Sequence, residues 1–449
     1  MSEIMAVHLK CNDQESPLGI DTYCPALGWE LQSGELGTKG SRTEGPGTGG
    51  PGQWQTAFRI LVSSSPDMLA TNQGDFWDTG KVASEQQLFI PYGGRALSSG
   101  QSYWWKVKVW DQGMNEGPWS RPACFETGLF LQEDWKARWI AASRGGLFTR
   151  SDGSPEPLFR YEFTLRALPV KARAYICGLG YHELTVNGRK MSDDVLAPGV
   201  TRYDASVLYQ TLDVTPALTA GANAVGVMLG DGWYNCFTQE VWDFKQAPWR
   251  DFAKLLFEMH VTYADGTKEC ITSGPEWKTA QGPVTFAGLR NGEHYDARLE
   301  IPGWDRPGFD DSCWKPAFIT RAPGGILRSQ QMPPIRVTRT LKPVSMTQTG
   351  EGTYVYDAGQ NLSGWARIRV QGPAGTVVTL RYGERIKEDG SLDQEKIAVF
   401  IKSGDCQTDR YTLKGEGIEE WEPRFTYHGF QYIEMTGYPG TPDLHSLSI

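Results

Sequence analysis

Polar and apolar positions alternate along this chain in short runs. Trp105, Val107 and Val109 are separated by Lys106 and Lys108. The same period of two marks residues 159–163 (Phe-Arg-Tyr-Glu-Phe), 172–176 (Ala-Arg-Ala-Tyr-Ile) and 366–370 (Ala-Arg-Ile-Arg-Val). Successive side chains of a strand point to opposite faces, so the pattern predicts strands with one buried face. Further strands are predicted at 58–62, 183–186, 255–263, 376–382 and 430–435, where β-branched and aromatic residues concentrate. Asn187-Gly188 and Asp265-Gly266 supply the positive φ that tight hairpins require. No segment holds a 3.6-residue apolar period for long, so few long helices are expected.

Many short strands separated by turn residues predict an all-β protein of three consecutive β-sandwich or jelly-roll domains, at 1–128, 129–330 and 331–449. The length of 449 residues fits three domains of about 150 residues each. Residues 34–52 hold eight glycines and two prolines among nineteen positions. Such a segment has too little apolar surface to offset its ordering entropy, and a disordered insertion in the first domain is expected there.

The net charge of -9 argues against nucleic acid, whose phosphates are held by clustered Lys and Arg. No run approaches the roughly eighteen apolar residues of a membrane span. The N-terminus carries an early acid and no apolar stretch of signal-peptide length, which predicts a cytoplasmic protein with no membrane partner. Eight cysteines lack any CxxC pair, and six histidines show no short Cys/His spacing. No metal and no cofactor is expected on that pattern.

Loop 233–252 contains seven aromatics: Trp233, Tyr234, Phe237, Trp242, Phe244, Trp249 and Phe252. Loops normally cross the surface, so this many aromatics must be covered by a neighbour or line a pocket. Their density suits a hydrophobic guest larger than a sugar. Trp233, Phe237, Trp242, Phe244 and Trp249 are the expected binding residues, with Tyr234, Lys245 and Arg250 as donors at the rim. The densest polar motif is 291–298 (Asn-Gly-Glu-His-Tyr-Asp-Ala-Arg). It offers His294 as a further donor, with Glu293 and Tyr295 as binding residues. Its plainer reading is an Asp296–Arg298 ion pair that fixes a loop.

Segments 175–188, 291–298, 357–365, 381–390 and 425–432 resemble the non-catalytic β-domains of α-L-rhamnosidases. The resemblance is strong from about Lys171 onward. Over the first 130 residues it is loose, and that region is similar to a fibronectin type III sandwich. The resemblance implies that the glycosidic bond is cut by carboxylates on a downstream helical barrel, absent from this chain. It also implies that motif 291–298 lies in a domain that in some members binds rhamnose with a calcium ion, for which Asn291, Glu293 and Asp296 are suitable hard oxygen ligands.

Three β-sandwiches without a barrel are also similar to fungal hetero-Diels–Alderases of tropolonic sesquiterpenoid biosynthesis. That resemblance implies a cofactor-free pericyclase joining a tropolone quinone-methide-type heterodiene to a humulene-like alkene. Small hydrophobic substrates would be held in near-attack geometry, with Arg250, His294 and Tyr234 polarising the heterodiene carbonyl. This is the expected function, and a homodimer is compatible with it. The alternatives are a rhamnose-binding, lectin-like protein or a truncated α-L-rhamnosidase fragment.

Overall fold

The computed structural model describes residues 4–33, 53–142 and 155–449. The expected insertion at 34–52 lies outside the described residues. The chain forms two compact units, Met1–Trp135 and Lys136–Ile449. The all-β expectation holds, and the longest helix among the described residues is Pro66–Ala70.

In the first unit, Gln55–Ser63 pairs with Ser102–Asp111, which in turn pairs with Ala123–Glu126. A smaller sheet runs through Ile4–Cys11, Ala26–Ser33 and Ile90–Pro91. The alternation read from the sequence sets the burial. Trp105, Val107 and Val109 fill the core with Trp29, Ile60 and Phe125. Lys106 and Lys108 leave the opposite face and lie over the Trp119 ring, at 4.9 and 4.7 Å from its centroid.

In the second unit two sheets enclose one core. One places Pro157–Leu165 between Gly221–Gly230 and Lys278–Gln281. The other places Lys171–Leu179 between Lys254–Thr262 and Ser206–Asp213. Ile176, Phe257, Val225, Val227 and Trp277 pack between them, each fully buried.

A third sheet runs Val284–Gly288, Gly292–Asp296, Thr408–Thr412, Val377–Gly383, His428–Thr436, Thr353–Gly364, Ser345–Gly350. A three-stranded sheet of Ile418–Trp421, Arg367–Gln371 and Leu447–Ser448 adds Ile368, Val370 and Trp421 to the core it shares with Tyr382 and Phe430. Local alternation does not announce one feature. Gly292–Asp296 pairs parallel to Thr408–Thr412, so a hairpin from the middle of the chain joins the C-terminal sheet. The 291–298 motif therefore sits inside that sheet.

Candidate functional site

Loop 233–252 follows Gly221–Gly230 and divides its aromatics between two surroundings. On one side Trp233 packs on Phe244 at 4.8 Å, and Phe237 meets Phe286 edge-on at 5.4 Å. Trp242, 49% exposed, stacks on Phe400 at 5.5 Å. The Arg290 guanidinium lies 4.0 Å from the Trp242 ring and 5.2 Å from Trp233, and bonds to Glu240 at 2.6 Å. On the other side Tyr234 is fully buried against Tyr203, and Tyr203 also meets Trp249 edge-on. Phe252 packs on Phe318. The loop thus works as two packing wedges. The space bounded by Trp233, Phe237, Glu240 and Arg290 is about 10 Å³, room for a single water, and the groove of about 280 Å³ that Trp233 borders takes no other aromatic of the loop.

The expected donors are not brought together. Tyr234 is sealed in the core, its hydroxyl without a partner, and burial raises its phenol above the usual range. Arg250 is half-buried, and desolvation lowers its guanidinium. His294 stacks on Phe286 at 4.7 Å and takes a hydrogen bond from Arg410 at 2.7 Å. Burial, then the Arg410 charge, lowers the imidazole to about 4. No hydrogen bond or ring contact joins His294 to Tyr234 or Arg250. Lys245 lies in a single 3-10 turn, Phe244–Gln246.

Motif 291–298 is a set of fasteners. The Asn291 amide donates to the carbonyls of Ser403 and Asp405 at 3.1 and 2.7 Å. Glu293 is fully buried, and its carboxylate accepts from the backbone N–H groups of Arg424 and Phe425 at 3.0 and 2.8 Å. Its own N–H donates to Asp409, which is paired with the equally buried His428 at 3.0 Å. Burial outweighs the backbone donors and pushes Glu293 up to about 8. Asp296 pairs with Arg298 at 2.7 Å, the plainer of the two readings of that motif. The carboxylates of Glu293 and Asp296 serve separate partners, the backbone of Arg424 and Phe425 for one and Arg298 for the other.

The sequence did not single out a cleft of about 350 Å³ beside this motif. Tyr295 and Trp421 form its floor, ring centroids 6.0 Å apart, and Tyr411 stacks behind Trp421. The Trp421 indole is buried and its N–H has no partner. Arg424 reaches Glu183 at 2.5 Å, and Lys190 bonds the same carboxylate at 2.7 Å. Burial works against the charge on Glu183, but Arg424 and Lys190 together hold its carboxyl below the usual range. The Tyr295 hydroxyl donates to Glu300, and the Trp365 indole donates to Glu422. Acceptors, donors and flat apolar faces in one groove suit a polyhydroxylated ligand. Glu183 and Arg424 are 241 residues apart, so no local motif could have joined them.

Three family models cover most of the chain. Residues 6–131 match the Rha78A-like N-terminal immunoglobulin domain, and 168–339 the α-L-rhamnosidase N-terminal domain. Residues 347–449 match the bacterial α-L-rhamnosidase concanavalin-like domain. These are N-terminal domains of the α-L-rhamnosidase family. An α-L-rhamnosidase of Formosa agariphila is 32% identical over 96% of this chain and 46% of its own length. The structure of the α-L-rhamnosidase from Dictyoglumus thermophilum superposes with a TM-score of 0.89 at 40% identity, over 99% of this chain and 48% of that one. The Streptomyces avermitilis enzyme, solved in complex with L-rhamnose, gives 0.88 at 27% identity, covering 99% and 57%. The chain spans about half the length of the relatives it matches.

These matches overturn the hetero-Diels–Alderase expectation and the secondary-metabolite setting that came with it, since the relatives and matched structures are α-L-rhamnosidases. The physical reason lies in the loop. Side chains assigned to one aromatic pocket point into two separate packing regions, and the donors Arg250, His294 and Tyr234 never meet. The family is one of glycoside hydrolases, yet among the described residues no helix exceeds five residues, so a helical barrel is not part of them. Among the described residues no helix is long and apolar enough to cross a membrane.

Proposed function

We propose that this chain is the non-catalytic β-module of an α-L-rhamnosidase, acting with a catalytic barrel in the release of terminal α-L-rhamnosyl groups. The observation that carries this reading is the superposition of nearly the whole chain on 48% of the Dictyoglumus enzyme at 40% identity. The carboxyl chemistry points the same way. Glycoside cleavage needs one protonated carboxyl at the leaving oxygen and a second carboxylate across the bond. Glu293, the carboxyl raised to about 8, is fully buried behind backbone donors. Glu183, which does line a cleft, is shifted the wrong way for a general acid.

The test is a chimera in which this chain replaces the matched portion of the Dictyoglumus enzyme. Rhamnose release from an aryl rhamnoside is the expected result. A soluble chimera that unfolds cooperatively but shows no turnover would overturn the proposal.

The cleft of about 350 Å³, with charged donors and acceptors around it, favours a second reading, in which the module contacts the sugar itself. Titration with L-rhamnose should then change tryptophan fluorescence, and Trp365→Ala, which removes a partly exposed ring lining the cleft, should weaken binding several-fold. Absence of any response at high millimolar sugar removes this reading and leaves the scaffold role untouched.

A further inference from the structure

The hairpin of Lys254–Thr262 and Lys268–Thr272 carries three kinds of ligand atom on one face. Glu258 and His260 are two positions apart on one strand, and His260 pairs directly with Cys270 on the other. All three ligand atoms lie within 4.8 Å of one another. Glu258 Oε1 is 2.7 Å from His260 Nε2 and 3.5 Å from Cys270 Sγ. The other oxygen, Oε2, accepts from the backbone N–H groups of Lys136 and Ala137 at 2.6 and 2.9 Å. Those two bonds fix the carboxylate so that Oε1 faces the imidazole and the thiol. Glu258 is buried, whereas the His260 side chain is 33% exposed, which gives an ion a way in.

We infer that this hairpin binds one zinc ion through Glu258 Oε1, His260 Nε2 and Cys270 Sγ, with a fourth position left to water. Tetrahedral zinc bonds of about 2.0–2.3 Å place ligand atoms roughly 3.3–3.8 Å apart. The oxygen and sulfur already stand at that separation. The imidazole must withdraw by ~0.6 Å, a small rotation for a half-exposed ring. A thiol and an imidazole beside one carboxylate select zinc over calcium or magnesium, which prefer all-oxygen shells. The backbone amides on Oε2 orient the carboxylate as outer-shell partners do in metal sites. Binding exchanges the S–H bond of Cys270 for an S–Zn bond and releases that proton to solvent. The proton on His260 Nε2, which faces Glu258, passes to Nδ1 through solvent and frees the Nε2 lone pair for the metal. Thiolate and carboxylate together then neutralise the dication. Without metal the proton stays on sulfur, because burial and the Glu258 charge push the thiol up to about 12.

The site is independent of the rhamnosidase reading and is tested on the full chain, free of histidine tags and stripped with chelator. Titration should give about one zinc ion per chain and a higher melting temperature at saturation. Cobalt substitution should give a thiolate-to-metal charge-transfer band. Cys270→Ala should abolish that band, and Cys270→Ala and His260→Gln should each weaken zinc at least tenfold. Replacing the exposed thiols Cys24 and Cys313 with serine should change neither result. A band that survives Cys270→Ala, or one lost with Cys24 and Cys313, overturns the site. Should the variants fail to fold, zinc must still slow alkylation of Cys270 in the unaltered protein, mapped by mass spectrometry. Unprotected Cys270 at saturating zinc overturns it equally.

Discussion

Arg424 of the C-terminal sandwich bonds Glu183 of the preceding one at 2.5 Å, and the backbone N–H of the same arginine is held by Glu293. One residue thus ties a cleft wall to a buried carboxyl. Replacing Arg424 with Met should cost about 1–3 kcal/mol in urea denaturation, because Glu183 loses one of its two cationic partners. Lys190 remains, and the arginine is partly exposed, so the low end of that range is expected. A double-mutant cycle with Glu183→Gln should show positive coupling. Additive losses would mean that the pair does not act as a unit.

Glu293 and two desolvated histidines, His182 and His294, give the stability a distinctive dependence on pH. Glu293 titrates at about 8 in the fold against 4.5 normally, so the folded state holds its proton more tightly and stability falls as pH rises between those values. His294 titrates at about 4 against 6.5, so its contribution rises over that lower interval. His182, fully desolvated, is lowered to about 4 in the same way. The two histidine slopes therefore outweigh that of Glu293 from 4.5 to 6.5, and Glu293 leaves a fall from 6.5 to 8 no steeper than about 1.4 kcal/mol per pH unit. Glu293→Gln should remove the fall above 6.5, since one amide oxygen at the Oε2 position still accepts from both Arg424 and Phe425. A fall that persists in this variant would assign the titration to another group.

The aromatic loop separates by burial. Phe237→Ala should cost about 3–5 kcal/mol, because a buried ring is lost from its contact with Phe286. Trp242→Ala removes a half-exposed ring from its stack on Phe400 and should cost about 1 kcal/mol. Equal losses for the two, measured by denaturant unfolding, would contradict this division.

The purified chain should release no rhamnose from an aryl rhamnoside at any pH between 4 and 8. Hydrolysis that persists through re-purification and is abolished by Glu183→Gln would place an acid catalyst in the cleft after all.

The strands were legible because one buried face imposes a period of two, as Trp105, Val107 and Val109 show. The loop was not, because aromatic content fixes how much surface must be covered and not in which direction each ring turns. Tyr234 and Trp233 are adjacent in sequence and enter different surroundings. The cleft was hidden by sequence distance alone. The Glu258–His260–Cys270 face was not fixed by the sequence, because it depends on the length of one hairpin turn. A two-residue Asp265-Gly266 turn would set residue 260 opposite 271 and turn Cys270 to the other face, whereas the three-residue turn at 264–266 sets 260 opposite 270, and a period of two adds 258 to that face. No short Cys/His spacing marks it, because a ladder brings together residues that a linear motif keeps apart.

The parallel pairing of Gly292–Asp296 with Thr408–Thr412 has a bearing on heredity. A recombination breakpoint between these segments would hand one descendant a sheet with a bare edge and the other a hairpin with nothing to lean on. Such an exchange is penalised at both ends. The two sandwiches of the second unit should therefore travel through evolution as one cassette.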